Sequence, residues 1–458
     1  MSKTNWRKGR IVLASLLSAV ALVSLVMWGC GTSGYDSPSV TASTTQTATA
    51  LIEPATLKQW ADAGLVNQAG GYDRVVILDI SSNPSATSTD NTTNAYYTVG
   101  HIPGAQLIGG ASAPNAFQET RPEGPLEVTG SMVCSGATID AVIQNAGIDK
   151  YTTIVLTTNG TSALNLTRAY ATFRYWGIPK NRLKVLQGGN AAWVTAGYAL
   201  TSNVPTIQRS TYGVAQNGTT NVNTDMRVSL SEMIDYVKGI VAGNTGKTYI
   251  LDTVRPDTQI SSTTDLIVTT QYTPFDGAVK GSYRFPLANV ITGVTFKTAD
   301  EIKTAISAAV GSDAVTTIGD ANRDAAKTFI TMCRAGNNAS QAYFVLDGIA
   351  YYNSTVNVKW YDGSLGQWNL MASSDHLALN GSNAGGKLHV GSIWDTTSLM
   401  DNLTWNVDRG RTIVDYSARV LGVEPSYADG NQIETADKAY RSTVTGTTGG
   451  GSTGGGGC

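Results

Sequence analysis

The stretch KTFITMCRAGNNASQAYFVL, residues 327–346, decides the fold prediction, because three kinds of local structure follow one another in it. An apolar run of strand length leads to Cys333, a loop of small and polar residues follows, and the last residues have helical spacing. A thiolate is favoured at the amino end of a helix. We therefore expect Cys333 to be a nucleophile, with a buried and inert thiol as the alternative.

The loop after Cys333 contains the groups that favour a thiolate. Arg334 places a cation next to the sulfur, and Gly336 permits a turn that a residue with a Cβ resists. Successive N–H groups from Cys333 to Asn338 are expected to point at the sulfur, with a helix beginning near Ser340. The loop supplies no general base, which suits a thiol that is already ionised.

Strand-like and helix-like segments alternate on both sides of this stretch. In the first half, strands are predicted at VVILDI (75–80), TTIVLTT (152–158) and LKVL (183–186). In the second half, they are predicted at TYILDTV (248–254), KTFITM (327–332) and NVKWYD (357–362), again with helical segments between them. This alternation predicts an α/β fold with a mainly parallel sheet in each of two sequential domains.

The composition and the ends of the chain complete the predicted organisation. Its parts, in chain order, are a signal peptide (1–29), a lipid-anchored Ser/Thr-rich tether (30–52), a first domain (53–202), a linker (203–222), a second domain (223–372), an extension packed on the second domain (373–445) and a flexible Gly-rich tail (446–458).

The amino terminus predicts export and a membrane anchor. Basic residues precede the apolar stretch, and the segment MWGC ending at Cys30 resembles a bacterial lipoprotein box, in which the cysteine carries the lipid. A plain transmembrane anchor is the alternative. We expect a protein of the bacterial cell envelope, periplasmic or on the outer membrane. Removal of residues 1–29, which carry four positive charges and no negative one, changes the formal net charge from −2 to −6. No basic run follows, which excludes a nucleic-acid binder.

Motifs spread over both halves resemble the tandem-domain rhodaneses. That family has a cysteine loop C-R-x-G-x-x before a helix, and then a strand that ends in Y-D-G-S-x-x-x-W. The matching residues are Cys333, Arg334, Gly336, Tyr361, Asp362, Gly363, Ser364 and Trp368. GHIPGAQLI (100–108), LKVLQGGNAAW (183–193) and ILDTVRP (250–256) resemble further family segments, so that the resemblance covers about residues 53–370.

The resemblance implies two rhodanese-like domains and sulfane-sulfur transfer through a persulfide on Cys333. A small anionic donor such as thiosulfate supplies the sulfur, cyanide or a thiol accepts it, and no cofactor is implied. Backbone N–H groups of the loop stabilise the persulfide, Arg334 and Arg255 hold the donor, and Asp252 orients the end of its strand. The loop residues in this assignment are Arg334, Ala335, Gly336, Asn337 and Asn338.

Departures from the family pattern limit the assignment. Thr158 stands in the first half where Cys333 stands in the second, which implies a catalytically silent first domain. Asn337 and Asn338 differ from the usual residues and leave the donor open. The phosphatases of this fold require an arginine where this chain has Ala339, which argues against phosphatase activity. The alternative function is a non-catalytic binding module in an envelope complex.

The remaining cysteines and histidines give weaker signals. With Cys30 lipidated, Cys134, Cys333 and Cys458 make an odd number, which excludes a disulfide scaffold. Cys458 ends a flexible tail and is a resolving thiol, a partner of Cys134, a tether to an envelope protein, or only a chain end. The extension is a second candidate surface for such a partner. His101 is expected to be structural, and no metal-ligand spacing occurs.

Overall fold

The computed structural model describes residues 43–81, 95–108, 117–214, 222–243, 247–253, 270–271, 275–312, 327–371, 393–405, 412–413 and 429–445. Within these ranges, no helix is long and apolar enough to cross a membrane. The signal peptide, Cys30, Arg255 and the tail with Cys458 lie outside the described residues, and the predictions for them stay predictions.

The first half is built around a parallel sheet. The strands of this half are β1 (Leu51–Ile52), β2 (Arg74–Asp79), β3 (Gln106–Leu107), β4 (Gln118–Glu123), β5 (Leu126–Val133), β6 (Thr152–Thr157) and β7 (Leu183–Leu186). Its helices are α1 (Pro54–Asp62), α2 (Ala95–Thr98), α3 (Gly136–Asn145), α4 (Leu164–Tyr175) and α5 (Gly189–Thr195), with a 3₁₀ turn at Lys180–Arg182. The sheet order is β1-β7-β6-β2-β3, and each neighbouring pair is parallel.

The second half repeats this plan. Its strands are β8 (Thr248–Asp252), β9 (Thr270–Gln271), β10 (Phe275–Val279), β11 (Ser282–Arg284), β12 (Ile291–Thr292), β13 (Thr295–Phe296), β14 (Thr328–Met332), β15 (Asn357–Trp360), β16 (Met400–Trp405) and β17 (Thr412–Ile413). Its helices are α6 (Leu230–Val241), α7 (Ala299–Val310), α8 (Asn337–Phe344), α9 (Ser364–Trp368) and α10 (Gln432–Thr445), with a π-helical turn at Val345–Ala350. Further 3₁₀ turns lie at Thr224–Met226, Leu287–Asn289, Asn369–Met371 and Thr397–Leu399. The parallel sheet has the order β11-β8-β14-β15.

The predicted α/β architecture with a parallel sheet in each half is confirmed. Apolar runs explain the central strands, since all six residues of β6 are buried, as a strand covered on both faces by helices requires. The predicted helices between these strands are present as α3, α4, α7 and α8.

The two halves meet through the helices that follow their central strands, α4 and α8. Thr167 and Ser340 are joined by a side-chain hydrogen bond of 3.1 Å. The rings of Tyr170 and Phe344 pack edge to face with centroids 4.8 Å apart. Buried side chains of both halves belong to one apolar cluster, and the first half therefore lies directly behind the loop at Cys333.

A hairpin that the sequence analysis does not predict, β4–β5, extends from the first half towards the second. Leu126 packs in the same apolar cluster as Tyr361, and the Val133 N–H donates to Asp362 Oδ2 at 2.8 Å. Pro122 and the charged residues of β4 conceal the strand pattern, because Arg121 and Glu123 are buried by pairing instead of facing solvent.

The boundary of the tether requires a correction. The sequence analysis assigns residues 30–52 to the tether, but the described part of this segment is packed. Thr44 and Ala50 are buried, the Ala50 N–H donates to the Gly348 carbonyl at 2.8 Å, and β1 extends the first sheet. The threonine hydroxyls of this segment form hydrogen bonds with the first domain, as Thr44 does with Thr153 of β6 at 2.7 Å. Such contacts need no apolar periodicity, which explains why the sequence pattern missed them.

The extension packs on both halves, so its predicted position on the second domain is incomplete. Strand β16 pairs with β10 of the second half in an antiparallel arrangement. Helix α10 instead contacts β4 and α3 of the first half. Arg121 of β4 forms a two-pronged pair with Asp437 of α10, at 2.7 and 2.9 Å, and this charge pair holds the helix there.

Candidate active site

Cys333 directly follows the central strand β14, at the edge of the sheet where the carboxyl ends of the parallel strands meet. The segments that follow the neighbouring strands β8 and β15 hold it in place, because the Thr253 N–H donates to the Met332 carbonyl at 3.1 Å and the Leu365 N–H of α9 donates to the Cys333 carbonyl at 2.9 Å. The side chain of Cys333 is only 2 % exposed. The predicted nucleophile therefore lies in a closed site.

Gly336 sets the shape of the loop. It adopts a φ of +77°, and a Cβ at this position would lie 2.3 Å from the Asp362 carbonyl oxygen. The Trp360 Nε1–H donates to the Gly336 carbonyl at 2.9 Å and secures the turn. This left-handed turn allows α8 to begin at Asn337, three residues before the predicted start at Ser340.

The sulfur of Cys333 is approached by hydrogen-bond donors. The N–H groups of Ala335 and Ala339 point towards it, one from the loop and one from the first turn of α8. The Ser364 hydroxyl accepts the Cys333 N–H at 3.1 Å, and it shares its one proton between the Tyr361 carbonyl oxygen at 2.7 Å and the sulfur at 3.9 Å. These donors favour a negative charge on the sulfur, as expected for an anion-binding loop.

The protonation state of Cys333 differs from the expectation. Burial raises the pKa of the thiol above its ordinary value, and the charge of Asp252 raises it further, against the donors from Ala335, Ala339 and Ser364. The loop sequence predicts a thiolate at rest. The structure instead favours a neutral thiol, because the loop is closed and the sheet side of the site carries a carboxylate.

Ser364 has a backbone conformation that requires support. Its φ is +50°, which is uncommon for a residue with a side chain. The contacts of its hydroxyl with the Cys333 N–H and the Tyr361 carbonyl supply this support. The family motif includes Ser364, but the sequence analysis gives it no role, whereas the structure places its oxygen beside the sulfur.

The other predicted site residues occupy distinct positions. Arg334 follows Cys333 and is half-buried, and Asp252 is buried at the end of β8, opposite Met332. Asn337 and Asn338 bond within α8, where the Asn337 carbonyl accepts Ser340 Oγ–H at 2.6 Å and Asn338 Oδ1 accepts Gln341 at 3.0 Å. Arg255 lies outside the described residues.

A buried ion cluster that the sequence analysis missed lies behind the Cys333 loop. Arg227 is fully buried and pairs with Glu123 at 2.8 Å, with Asp362 at 2.9 Å and with Glu434 at 3.6 Å. Gln367 also donates to Glu123, at 2.9 Å. Asp362 lies directly against Gly336. This cluster therefore connects the β4–β5 hairpin and α10 with the loop that follows Cys333, called the active loop below. No local sequence signal indicates it, since its charged members lie far apart along the chain.

Cys134 and His101 are buried in the described structure. Burial and the charge of Glu119 raise the pKa of Cys134 well above its ordinary value, so it is neutral at ordinary pH. His101 contacts the Tyr96 and Asn203 carbonyl oxygens through its two ring nitrogens, at 3.0 and 3.1 Å, and stacks on Tyr96. Within the described ranges, no group of three or more His, Cys, Asp or Glu side chains is arranged to hold a metal ion.

Comparison with known proteins gives relatives at low identity. The sequence matches no protein-family model. A curated relative, the sulfur carrier protein TtuD of Thermus thermophilus, is 27% identical over 280 residues, which cover 59% of this chain and 83% of the relative.

Solved structures with a similar chain path include SseA from Escherichia coli, described as a 3-mercaptopyruvate sulfotransferase with the "Rhodanese" fold, and Tum1 protein from Saccharomyces cerevisiae. Each is 19% identical and covers 69% of this chain, with 98% and 94% of their own chains covered and TM-scores of 0.47 and 0.48. The rhodanese resemblance predicted from the sequence motifs is in agreement with these matches.

Proposed function

We propose that this protein is a sulfurtransferase of the rhodanese type, in which Cys333 carries a sulfane sulfur as a persulfide. The observation that carries this proposal is the set of donors around the sulfur, from the N–H groups of Ala335 and Ala339 and the hydroxyl of Ser364. A group of donors aimed at one sulfur is suited to an anion. The curated relative at 27% identity is named a sulfur carrier protein, which supports the same chemistry.

The first step loads the cysteine. The Cys333 thiol loses its proton to solvent, and the thiolate attacks the outer sulfur of a donor such as thiosulfate. A sulfur–sulfur bond forms at Cys333, the sulfur–sulfur bond of the donor breaks, and sulfite leaves with the electron pair. Because burial raises the pKa of Cys333, the loss of the proton is the demanding part of this step.

The second step passes the sulfur on. The carbon of cyanide, or the sulfur of an acceptor thiolate, attacks the terminal sulfur of the persulfide. The bond between that sulfur and Cys333 breaks, and the cysteine leaves as a thiolate, which the same donors stabilise. This two-step covalent scheme is ping-pong in form.

We propose that two arginines, Arg334 and Arg255, bind the anionic sulfur donor. Arg334 is half-buried next to Cys333 and is the described residue best placed to attract an anionic donor. Arg255 is proposed as a second cation for the donor, on the strength of the motif alone. The bonding of Asn337 and Asn338 within α8 leaves the identity of the donor open.

Intact-mass analysis of the full chain tests this proposal. After incubation with thiosulfate, the wild type is expected to gain the mass of one sulfur atom and to lose it when cyanide is added. Cys333→Ser should gain nothing, whereas the matched control Cys134→Ser should still be loaded, because Cys134 is a buried thiol with a strongly raised pKa. Sulfur uptake by Cys333→Ser would overturn the assignment of the carrier.

A second candidate function is favoured by the burial of the thiol. Cys333 is 2 % exposed and its pKa is raised, as in a structural cysteine. On this view the protein is a non-catalytic binding module of a cell-envelope complex. A wild type that never acquires sulfur from thiosulfate or another sulfane donor would favour this function.

We also propose that the chain is anchored in the cell envelope through a lipid on Cys30, on the evidence of the amino-terminal motif. Incorporation of a labelled fatty acid in bacterial cells tests this proposal. The label should be present in the wild type and absent from Cys30→Ser, and equal labelling of both would contradict it.

A further inference from the structure

Arg168 of α4 is a buried cation in the first half. Its residue is 2 % exposed. Its Nε–H donates to the Phe117 carbonyl at 3.3 Å and its Nη2 donates to the Ser131 carbonyl at 2.6 Å. The third nitrogen, Nη1, is buried and has no hydrogen-bond partner in the described structure.

Arg168 differs from the buried Arg227 and Arg121 in that it has no counter-ion among the residues that the structure describes. Arg227 and Arg121 each contact carboxylates at 2.7 to 2.9 Å, whereas no carboxylate of the described residues lies within ion-pair distance of Arg168. Burial lowers the pKa of Arg168 to about 10. An unpaired buried cation is costly, which suggests that its counter-charge is present in only one state of the protein.

The position of Arg168 relative to the active loop indicates where that counter-charge appears. The guanidinium lies over the ring of Trp360, 4.4 Å from its centroid, and the indole N–H of Trp360 donates to Gly336 of the loop at 2.9 Å. The groups near enough to stabilise the Arg168 cation when they carry a negative charge are Asp362, Cys134 and Cys333.

Two of these three groups are poor counter-charges. The oxygens of Asp362 already serve Arg227 and the Val133 N–H. Cys134 is held neutral by its burial. Cys333 remains, and it becomes negative as a thiolate and again as a persulfide during sulfur transfer, because a terminal persulfide sulfur is more acidic than a thiol.

We propose that Arg168 supplies, from the first half, the positive charge that stabilises the anionic sulfur of Cys333. This inference rests on the proposed sulfur transfer. It makes Arg168 a positioning residue that acts through the field at Cys333 and through Trp360, and it assigns the first half a part in the chemistry although its own loop carries Thr158.

The charged and titratable groups around Cys333 define what the test must separate. Arg334 adjoins it on its own loop, Asp252 faces it from β8, and Asp362 follows β15. Arg168 interacts with Cys333 from the first half, and Cys134 is a second thiol that interacts with Arg168. The test must therefore measure the pKa of Cys333 itself, in variants that change Arg168 alone.

The test is the pH dependence of Cys333 alkylation by iodoacetamide in the full chain, resolved by peptide mass spectrometry. Arg168→Met is expected to raise the apparent pKa of Cys333 by about one unit and to slow sulfur loading at neutral pH about tenfold. Arg168→Lys keeps the charge, so its Cys333 pKa and its rate of sulfur loading should both be close to those of the wild type. Lys184→Met is the matched control, because Lys184 is another buried first-half cation, bonded to Thr47 and Tyr352, and should leave the Cys333 midpoint unchanged.

The outcomes separate this inference from the proposed function. An unchanged Cys333 midpoint in Arg168→Met, with normal loading, overturns the role of Arg168 and leaves sulfur transfer intact. A raised midpoint in Arg168→Met, together with a wild type that takes up no sulfur, supports the electrostatic role and contradicts the proposed function. If Arg168→Met does not fold, Arg168→Gln, which retains a donor for the Ser131 carbonyl, is compared with Arg168→Lys in the same way. A shift at Cys134 in place of Cys333 also overturns the inference.

Discussion

The loops that follow β6 in the first half and β14 in the second occupy the same place in their sheets but bond their first residue differently. Thr158 Oγ1 donates to the Ile80 carbonyl at 3.0 Å and accepts the Gly160 N–H at 2.9 Å. Its carbonyl accepts the Asn190 N–H at 3.0 Å. The hydroxyl is thus used in local hydrogen bonds, and the first loop is a structural turn.

At Cys333 the bonding pattern is reversed. The groups that approach the sulfur are donors, from Ala335, Ala339 and Ser364. A hydroxyl that must donate to a carbonyl stabilises a turn, whereas a sulfur that only accepts can hold a negative charge. The two loops therefore share one backbone plan but differ in the hydrogen-bond partners of their first residue, and the proposed function assigns the chemistry to the second loop.

The largest expected effect comes from Gly336→Ala. A residue with a Cβ at a φ of +77° costs about 1–2 kcal/mol, and the Cβ would meet the Asp362 carbonyl oxygen at 2.3 Å, so the loop must move. A displacement of about 1 Å can cost roughly 100-fold in rate. We expect sulfur loading, measured by intact mass against time, to fall by about that factor.

Gly239→Ala is the matched control for this substitution. Gly239 lies inside α6 and a Cβ there has no neighbour within 4 Å. Alanine is the better helix former, so this variant should be slightly more stable and should load sulfur at the wild-type rate. Equal loading by both variants would show that the shape of the second loop is not what distinguishes it from the first.

The sequence predicts the sheets and the cysteine loop but not what surrounds them. Central strands such as β6 can be predicted from the sequence because burial on both faces requires an apolar run. Cys333 and Gly336 are readable because loop chemistry is local. Arg227 and Arg168 are not, because their partners lie far along the chain and a polar residue in a strand or helix pattern is ordinarily expected at the surface.

The protonation state of Cys333 could not be predicted for the same reason. The local sequence shows Arg334 and the donors of the loop, which favour a thiolate. The burial that raises the pKa comes from tertiary packing, and the charge of Asp252 comes from a neighbouring strand about 80 residues earlier. Local sequence therefore points to Cys333 as the candidate nucleophile but does not show the burial and the charge that favour a neutral thiol.

The covering of the second loop gives a smaller, pH-dependent effect. Burial raises the pKa of Glu434 on α10 to about 7, against the attraction of Arg227. A carboxyl whose pKa is raised in the folded state binds more protons folded than unfolded, so its contribution to stability is lost as pH rises from about 4.5 to about 7. In the wild type, the free energy of unfolding should decline by at most about 3 kcal/mol over that pH interval because of Glu434, and Glu434→Gln should remove this decline when unfolding is measured in urea.

Glu301→Gln is the control for the Glu434 experiment. Glu301 caps α7 and is exposed, and its hydrogen bonds with Thr298 lower its pKa, so its effect has the opposite sign. The decline between pH 4.5 and 7 should persist in this variant. If the same decline in the free energy of unfolding is measured for Glu434→Gln, then Glu434 of α10 is not the group in the buried cluster that titrates between pH 4.5 and 7.

The smallest expected effect is no gain of function when the cysteine is moved to the first loop. In Thr158→Cys combined with Cys333→Ser, the new thiol faces the Ile80 carbonyl, an acceptor that opposes a thiolate. Intact mass after thiosulfate should match that of Cys333→Ser alone, with a loss of stability of about 1–2 kcal/mol from the hydroxyl hydrogen bonds. Sulfur on this double variant would mean that both loops accept an anion equally well, and that the missing cysteine alone, not its bonding partners, makes the first half silent.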